Sequence, residues 1–248
     1  MKRIFLWITY FFISLIFLLP FIGIFFNSMN FKMWGYVLKS KATYSSLLTT
    51  FLVVLMTMFI NFIIGTPVAA FMARENFKGK IFIELLIILP LIIPTMVSTM
   101  GIQFAFIKLG LIETTLGVAI VHSVTTIPYY IQSMRSGYVT LNRDYINLGK
   151  ILGANFIERF FKITLPMIYP SFLVGMSLVI IVSLAQYLVT FIIGGGQIMT
   201  LPILMMPYLV DGGVTNGTVY SVIYVVFTYF LVFLINQLVK KIYKRREY

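Results

Sequence analysis

Apolar residues fall into six long blocks along the chain, residues 4–26, 45–72, 81–107, 115–134, 168–193 and 215–239. Each is long enough for an α-helix to cross the hydrocarbon core of a bilayer, which takes about 20 residues. The pattern predicts an all-α integral membrane protein, a single transmembrane domain over residues 1–248 with six helices. The first block follows Met1-Lys2-Arg3 but is too long for the apolar region of a signal peptide, and no small-residue cleavage site follows it, so it reads as a retained helix with Pro20 near its outer end. Residues 27–43, with Trp34, Tyr36, Lys32, Lys39 and Lys41, suit a membrane interface. Pro90 and Pro94 predict a kink or broken turn in the third block. The fourth carries His122 and Pro128. After the fifth, Gly194 to Gly196 open an outer segment reaching about residue 214, and a basic tail follows residue 239.

Composition agrees with this reading. Sixty per cent of residues are apolar and ten per cent charged, which excludes an ordinary soluble domain. A net charge of +12 would suggest nucleic acid in a soluble protein, but its placement points elsewhere. With six spans both termini share one side, and that side holds 15 of the 19 Lys and Arg residues, leaving Lys32, Lys39, Lys41 and Lys108 opposite. The positive-inside rule makes the topology N-in, C-in, with residues 135–167 cytoplasmic and no nucleic-acid partner. The chain has no cysteine and one histidine, so thiolate or His-rich metal sites are not expected. Gly149-Lys150 is not a phosphate loop, because Asp144 stands where the motif needs glycine and Ile151 where it needs Ser or Thr. No HExxH, GxSxG or DFG pattern occurs. No catalytic residue is assigned, and energy for active transport has to come from a partner.

The longest polar connection holds the most informative stretch, residues 144–170. Tyr145, Leu148 and Leu152 share one helical face, with Ile151 beside them. Gly153 can end that helix by adopting φ > 0. Asn155 and Glu158 have the spacing of a capping box that starts a second helix, in which Phe156, Ile157, Phe160 and Phe161 form an apolar stripe. Glu158 can pair with Lys162 at i, i+4, and Pro166 and Pro170 interrupt the pattern. The segment has the form of a helix–glycine–helix unit built to dock against another protein.

Gly153, nine residues, then Ile163-Thr164-Leu165-Pro166 resembles the cytoplasmic EAA loop of permease subunits in binding-protein-dependent ABC importers. That loop reads Glu-Ala-Ala, three residues, Gly, nine residues, Ile-x-Leu-Pro. Leu152-Gly153-Ala154 and Phe160 fit as well, but Asn147, Leu148 and Gly149 stand where the family has Glu-Ala-Ala, so the family glutamate is absent. Gly65-x-Pro67-x-Ala69-Ala70, Leu89-Pro90 with Pro94, and Gly194-Gly195-Gly196 with Thr200-Leu201-Pro202 extend the resemblance towards the spermidine/putrescine, phosphonate, thiamine and ferric-iron branch. It implies a MetI-like permease fold in a bacterial cytoplasmic membrane, coupled to an ATPase through Asn147, Leu148, Gly149, Leu152, Gly153, Ala154, Phe160, Ile163, Leu165 and Pro166. It also implies two ABC ATPase subunits that bind ATP and Mg, a second permease subunit, equal or similar, and an extracellular or periplasmic solute-binding protein. No cofactor is expected on this chain itself.

Polar side chains within the spans are costly against lipid and so face the bundle or a water-filled path. Candidates are Gln103, His122, Thr125, Thr126, Gln132, Ser183, Gln186, Tyr187 and Thr190, of which Gln103, His122, Gln186, Tyr187 and Thr190 are assigned to the translocation path. For the hydroxyls the plainer reading is a bond back to their own helix; for His122 it is an interhelical hydrogen bond. Glu84, close to Lys80, reads as an interfacial residue. Span five lacks the acids that a desolvated polyamine would need. The alternative function is a small secondary carrier or channel not driven by ATP, against which stands the lack of carboxylates at mid-membrane depth. The topology is directly testable. Cysteines introduced singly at Lys41 and Lys244 are expected to react with an impermeant reagent from opposite sides; labelling of both from outside would contradict six spans.

Overall fold

A computed structural model describes residues 2–210 and 214–244, and every described element is a helix. Helix α1 is Lys2–Asn27, α2 Phe31–Lys39 and α3 Lys41–Ile60, which continues through a π-helical turn, Asn61–Gly65, into α4, Thr66–Arg74. Then come α5, Lys80–Ile92, α6, Thr95–Leu109, and α7, Thr115–Thr140. The expected docking segment contains α8, Arg143–Ile151, α9, Phe156–Arg159, a second π-helical turn, Phe160–Thr164, and α10, Leu165–Met167. The chain finishes with α11, Tyr169–Leu184, α12, Tyr187–Gly194, α13, Leu201–Val210, and α14, Val214–Lys244. Among the described residues, three stretches are long and apolar enough to cross a bilayer unaided: Thr9–Asn27, Lys41–Arg74 and Asn216–Lys241.

The helices are apolar on the outside and carry much of their polarity within. Along α3 the buried positions include Thr43, Ser46, Thr50 and Thr57, and Asn61 follows them. Leu48, Leu52, Leu55 and Phe59 point outward from the same helix. That is the arrangement a lipid solvent selects, because a hydroxyl facing hydrocarbon has no partner. The inward hydroxyls are bonded: Thr57 Oγ1 donates to Val53 O at 2.8 Å, and Thr50 Oγ1 to Ser46 O at 2.6 Å.

Helix α7 is the hub, packing against α3, α4, α5, α6, α11 and α12. Tyr130, fully buried, sits where α4, α7 and α11 converge, its hydroxyl 2.9 Å from Thr66 Oγ1. A Cβ on Gly65 would stand 2.5 Å from Tyr130 Cδ1, and one on Gly175 3.1 Å from Cδ2. Two glycines from two helices therefore admit one ring. Below it Met134, Tyr138, Leu165, Ile168 and Phe172 continue the core towards the docking segment.

Several boundaries differ from the sequence reading for physical reasons. The third block has the broken turn that Pro90 and Pro94 predict, with α5 and α6 meeting at 102°. Pro94 forces Ile93 into an extended conformation, φ −74° and ψ 130°. The fourth extends six residues past 134, since a buried hub helix need not stop where hydropathy falls. The fifth breaks at Ala185–Gln186 between α11 and α12. Residues 27–43 contain the short helix α2, capped by Asn30 and tied by Trp34 Nε1 to Ser28 O at 2.7 Å. The glycine run ends α12, with Gly195 and Gly196 at φ +53° and +81°, and the outer segment then forms α13. Residues 211–213 of that segment and 245–248 of the tail lie outside the described residues.

Candidate functional site

The segment expected to dock starts where α7 ends. Asn142 caps α8 by accepting from Asp144 N at 2.9 Å. Tyr145, Leu148, Ile151 and Leu152 are then all more than half exposed, with Ile151 at 81%. Ile146 turns the other way, onto the core around Tyr138 and Leu165. Gly149, at the family's second alanine position, is buried, and a Cβ there would lie 2.5 Å from Ile163 Cδ1. A small residue at this point lets α8 cross the π-helical turn closely. Asn147, where the family has glutamate, is exposed.

At the tip, Gly153 has φ +82°. Ala154 N donates to Gly149 O at 3.0 Å and Gly153 N to Lys150 O at 3.1 Å. This is the paired pattern of a Schellman helix end, which satisfies carbonyls that would otherwise be orphaned. Arg159 Nη1 binds Ala154 O at 2.7 Å across the turn. The capping box is complete: Glu158 N to Asn155 Oδ1 is 2.9 Å, and Asn155 N to Glu158 Oε2 is 3.1 Å. Lys162 Nζ lies 3.0 Å from Glu158 Oε1, and it, with the Asn155 N–H, holds that carboxyl below the usual carboxylate range. Phe156 and Ile157 are exposed. Phe160 turns inward onto Phe62, ring centroids 6.0 Å apart.

The prolines do not break the second helix where the sequence suggested. Pro170 lies in the first turn of α11, where the missing N–H is not needed, and Pro166 follows directly on the π-helical turn Phe160–Thr164. The bend, 86°, falls between them at Ile168. Arg143 Nη2 bonds Arg74 O at 2.6 Å, and the Arg74 guanidinium stands 5.0 Å over the Tyr138 ring. The docking unit is thus joined to α4 as well as to α7 and α11.

The polar residues assigned to a path from sequence gather mostly in one place. His122, 2% exposed, has Nδ1 2.9 Å from Ser183 Oγ and Nε2 3.0 Å from Thr190 Oγ1. A neutral imidazole donates through one nitrogen and accepts at the other, and a hydroxyl can serve either. Thr190 Oγ1 in turn donates to Gln186 O at 2.9 Å, while Gln186 Nε2 reaches His122 O at 3.5 Å. Gln103 Nε2 lies 3.4 Å from Ile192 O. Tyr187 stacks on Phe191 instead. The cavity beside His122 is only about 10 Å³, so these groups clamp the broken α11–α12 span to α7 rather than line an open space.

Open polar surface lies further along α7. Tyr129, Gln132, Ser133, Arg135, Ser136 and Thr140 form a partly exposed stripe, about 16 Å long at 1.5 Å per residue. A cleft of about 470 Å³ flanks it on the α5 side, and one of about 420 Å³ on the α11 side. Glu84 of α5 reaches Arg135 across the first, 2.9 Å apart. Sequence reading placed Glu84 at an interface but gave no sign of its partner, which lies 51 residues away.

A family described as "Binding-protein-dependent transport system inner membrane component" matches residues 65–248. The chain belongs to this family. The match includes the docking unit, α7 and the broken spans. Among relatives of this transport component, a molybdate/tungstate transport system permease protein of Pyrococcus abyssi is 26% identical over 158 residues, 63% of this chain and 63% of that protein's length. A putative molybdenum transport system permease protein of Bacillus subtilis is 29% identical, covering 71% and 84%. A probable sulfate transport system permease protein of Chlorokybus atmophyticus is 24% identical, covering 83% and 77%. In fold the chain is similar to a bacterial ABC transporter chain involved in the import of the acidic polysaccharide alginate, TM-score 0.73 at 13% identity, over 97% of this chain and 96% of that one.

These relatives correct the expected branch, since none of the three carries a polyamine, phosphonate, thiamine or iron name. Gly65, one of the motif residues behind that expectation, packs against Tyr130 and says nothing of cargo. For the clamp, His122→Leu removes both ring nitrogens from Ser183 and Thr190. Leaving buried groups unpaired costs about 1–3 kcal/mol, so a lowered thermal midpoint of the purified protein is expected. An unchanged midpoint would mean that the clamp contributes nothing to stability.

Proposed function

We propose that the chain is the membrane-spanning permease subunit of an ATP-driven importer for a tetrahedral oxyanion, of the class that includes molybdate, tungstate and sulfate. The carrying observation is the exposed apolar face of α8 and α9, presented on a rigid turn and joined directly to α7 and α11. An apolar face of this size is otherwise unfavourable in water, and the chain's own sequence offers no means of hydrolysing ATP. The oxyanion class rests on the names of the relatives. It also agrees with the shortage of carboxylates in the spans, where Glu84 is the one acid among the described residues and is paired with Arg135.

In this reading two ATPase subunits bind the docking faces of two permease subunits in a bacterial cytoplasmic membrane, and a binding protein outside delivers the anion. ATP-driven closure of the ATPases moves α8 and α9 as a unit. Leu141 and Asn142 carry the motion into α7, and Ile168 carries it into α11. The core around Tyr130, Tyr138 and Phe172 keeps those helices together, so movement at the docking unit becomes movement of the path lining.

Gly153 gives the test. A Cβ there meets nothing within 4 Å, so substitution acts through backbone strain at φ +82°, about 1–2 kcal/mol for an ordinary residue and more for a β-branched one. Gly153→Val is expected to lower ATP hydrolysis stimulated by loaded binding protein, and molybdate uptake with it, while insertion stays normal. Gly153→Ala is expected to be milder on both. Full stimulation and uptake by the Gly153→Val complex in nanodiscs and proteoliposomes would contradict the coupling role.

A further inference from the structure

The Glu84–Arg135 pair occupies an unusual place. Glu84 lies four residues into α5 and Arg135 five residues before the end of α7, about 6–8 Å inside the helix ends at 1.5 Å per residue. Each side chain keeps about a third of its surface exposed, 31% for Glu84 and 38% for Arg135. They are the only charged residues lining the two clefts on either side of the α7 stripe. The faces that meet lipid look different: Leu48, Leu52, Leu55 and Phe59 on α3, and Val226, Phe230 and Phe233 on α14. Arg135 directly follows the fourth apolar block, residues 115–134, and a polar, partly open stripe with a cation at the end of a span faces water or protein rather than lipid.

We propose that Arg135 is the counter-charge met by an oxyanion on the cytoplasmic half of the path, and that Glu84 is its exchangeable stand-in. This rests on the oxyanion reading above. The guanidinium presents a planar fork suited to two oxygens of a tetrahedral anion. Gln132, one turn before Arg135, and Ser136, the residue after it, line both clefts and supply further donors. A bare guanidinium would retain its anion, and a path must bind weakly enough to release. Glu84 meets that need: the arriving anion displaces its carboxylate from Arg135, and return of the carboxylate expels the anion towards the cytoplasm. Between cycles the pair ties α5 to α7 and leaves no unpaired cation to collect cytoplasmic anions.

The complete importer, with its ATPase subunits and binding protein, can be tested in proteoliposomes holding ATP inside. Uptake of radioactive molybdate is measured with increasing tungstate in the lumen, the exit side. Glu84→Gln is expected to make uptake sensitive to about tenfold less luminal tungstate, since Arg135 loses its competitor; loss of one charge-assisted bond has that order of effect. Arg135→Gln, and the double Glu84→Gln/Arg135→Gln variant, which replaces the ion pair by two amides, are expected to lower uptake about tenfold and remove the luminal inhibition. Arg135→Lys is expected to fall between them and wild type. If the pair only staples α5 to α7, both single variants lose thermal stability and uptake together, the double variant recovers, and luminal sensitivity is the same throughout. That result overturns the proposal. Failure of the wild-type complex to take up molybdate, tungstate or sulfate overturns the oxyanion reading and this inference with it.

Discussion

A polar group inside a bilayer has no water to turn to, and this one constraint shapes the molecule. It sends the hydroxyls of α3 inward and Leu48, Leu52, Leu55 and Phe59 outward. It leaves α7, the most polar long helix, at the centre, where Thr57, Asn61, Ser183 and Thr190 answer its own polar groups. Asn61 Nδ2 meets Thr126 Oγ1 at 2.9 Å, and Thr57 Oγ1 lies 3.3 Å from Ala119 O. Close approach makes this possible. Gly65 and Gly175 on either side of Tyr130 bring backbones near enough for short hydroxyl side chains to reach across.

The same hub joins the two regions of functional interest. The proposed docking face and the proposed path are separate surfaces, but α7 belongs to both: its end feeds the capped helix α8, and its C-terminal half carries the open polar stripe. In the proposed coupling, a turn that transmits force has to resist bending. The Schellman end at Gly153, the capping box at Asn155 and the tight crossing at Gly149 supply that stiffness with few residues. The two π-helical turns mark where the pattern gives way to packing. One lets Gly65 sit beside Tyr130; the other brings Phe160 onto Phe62 and Ile163 against Gly149.

Much of this was legible in the sequence because it is local. Gly153 at positive φ, the Asn155–Glu158 box, the Glu158–Lys162 pair and the break near Pro94 each follow from residues within four positions of one another. Family spacing then singled out residues 144–170 as the segment proposed to dock. What the sequence hid is non-local. Nothing near Glu84 points to Arg135, and nothing near His122 distinguishes a clamp from a path lining. Gln132 was among the polar candidates but was not assigned to the path, and Ser136 was not named, because a sequence shows which residues are polar and not which face is left uncovered. Pro166 misled for a related reason: a π-helical turn before it removes the cost that a proline normally imposes.

The account centres on the apolar face of α8 and α9 as the surface that receives the work of ATP hydrolysis. Photo-crosslinking in the assembled importer addresses this most directly, with a photoreactive residue at Ile151 and, as a control, at Leu48 on the outer face of α3. The account predicts that Ile151 captures the ATPase subunit, with a yield that changes between nucleotide-free and ATP-bound states, and that Leu48 does not capture it. Absence of the ATPase from the Ile151 product, in complexes that still contain it, would contradict the central claim.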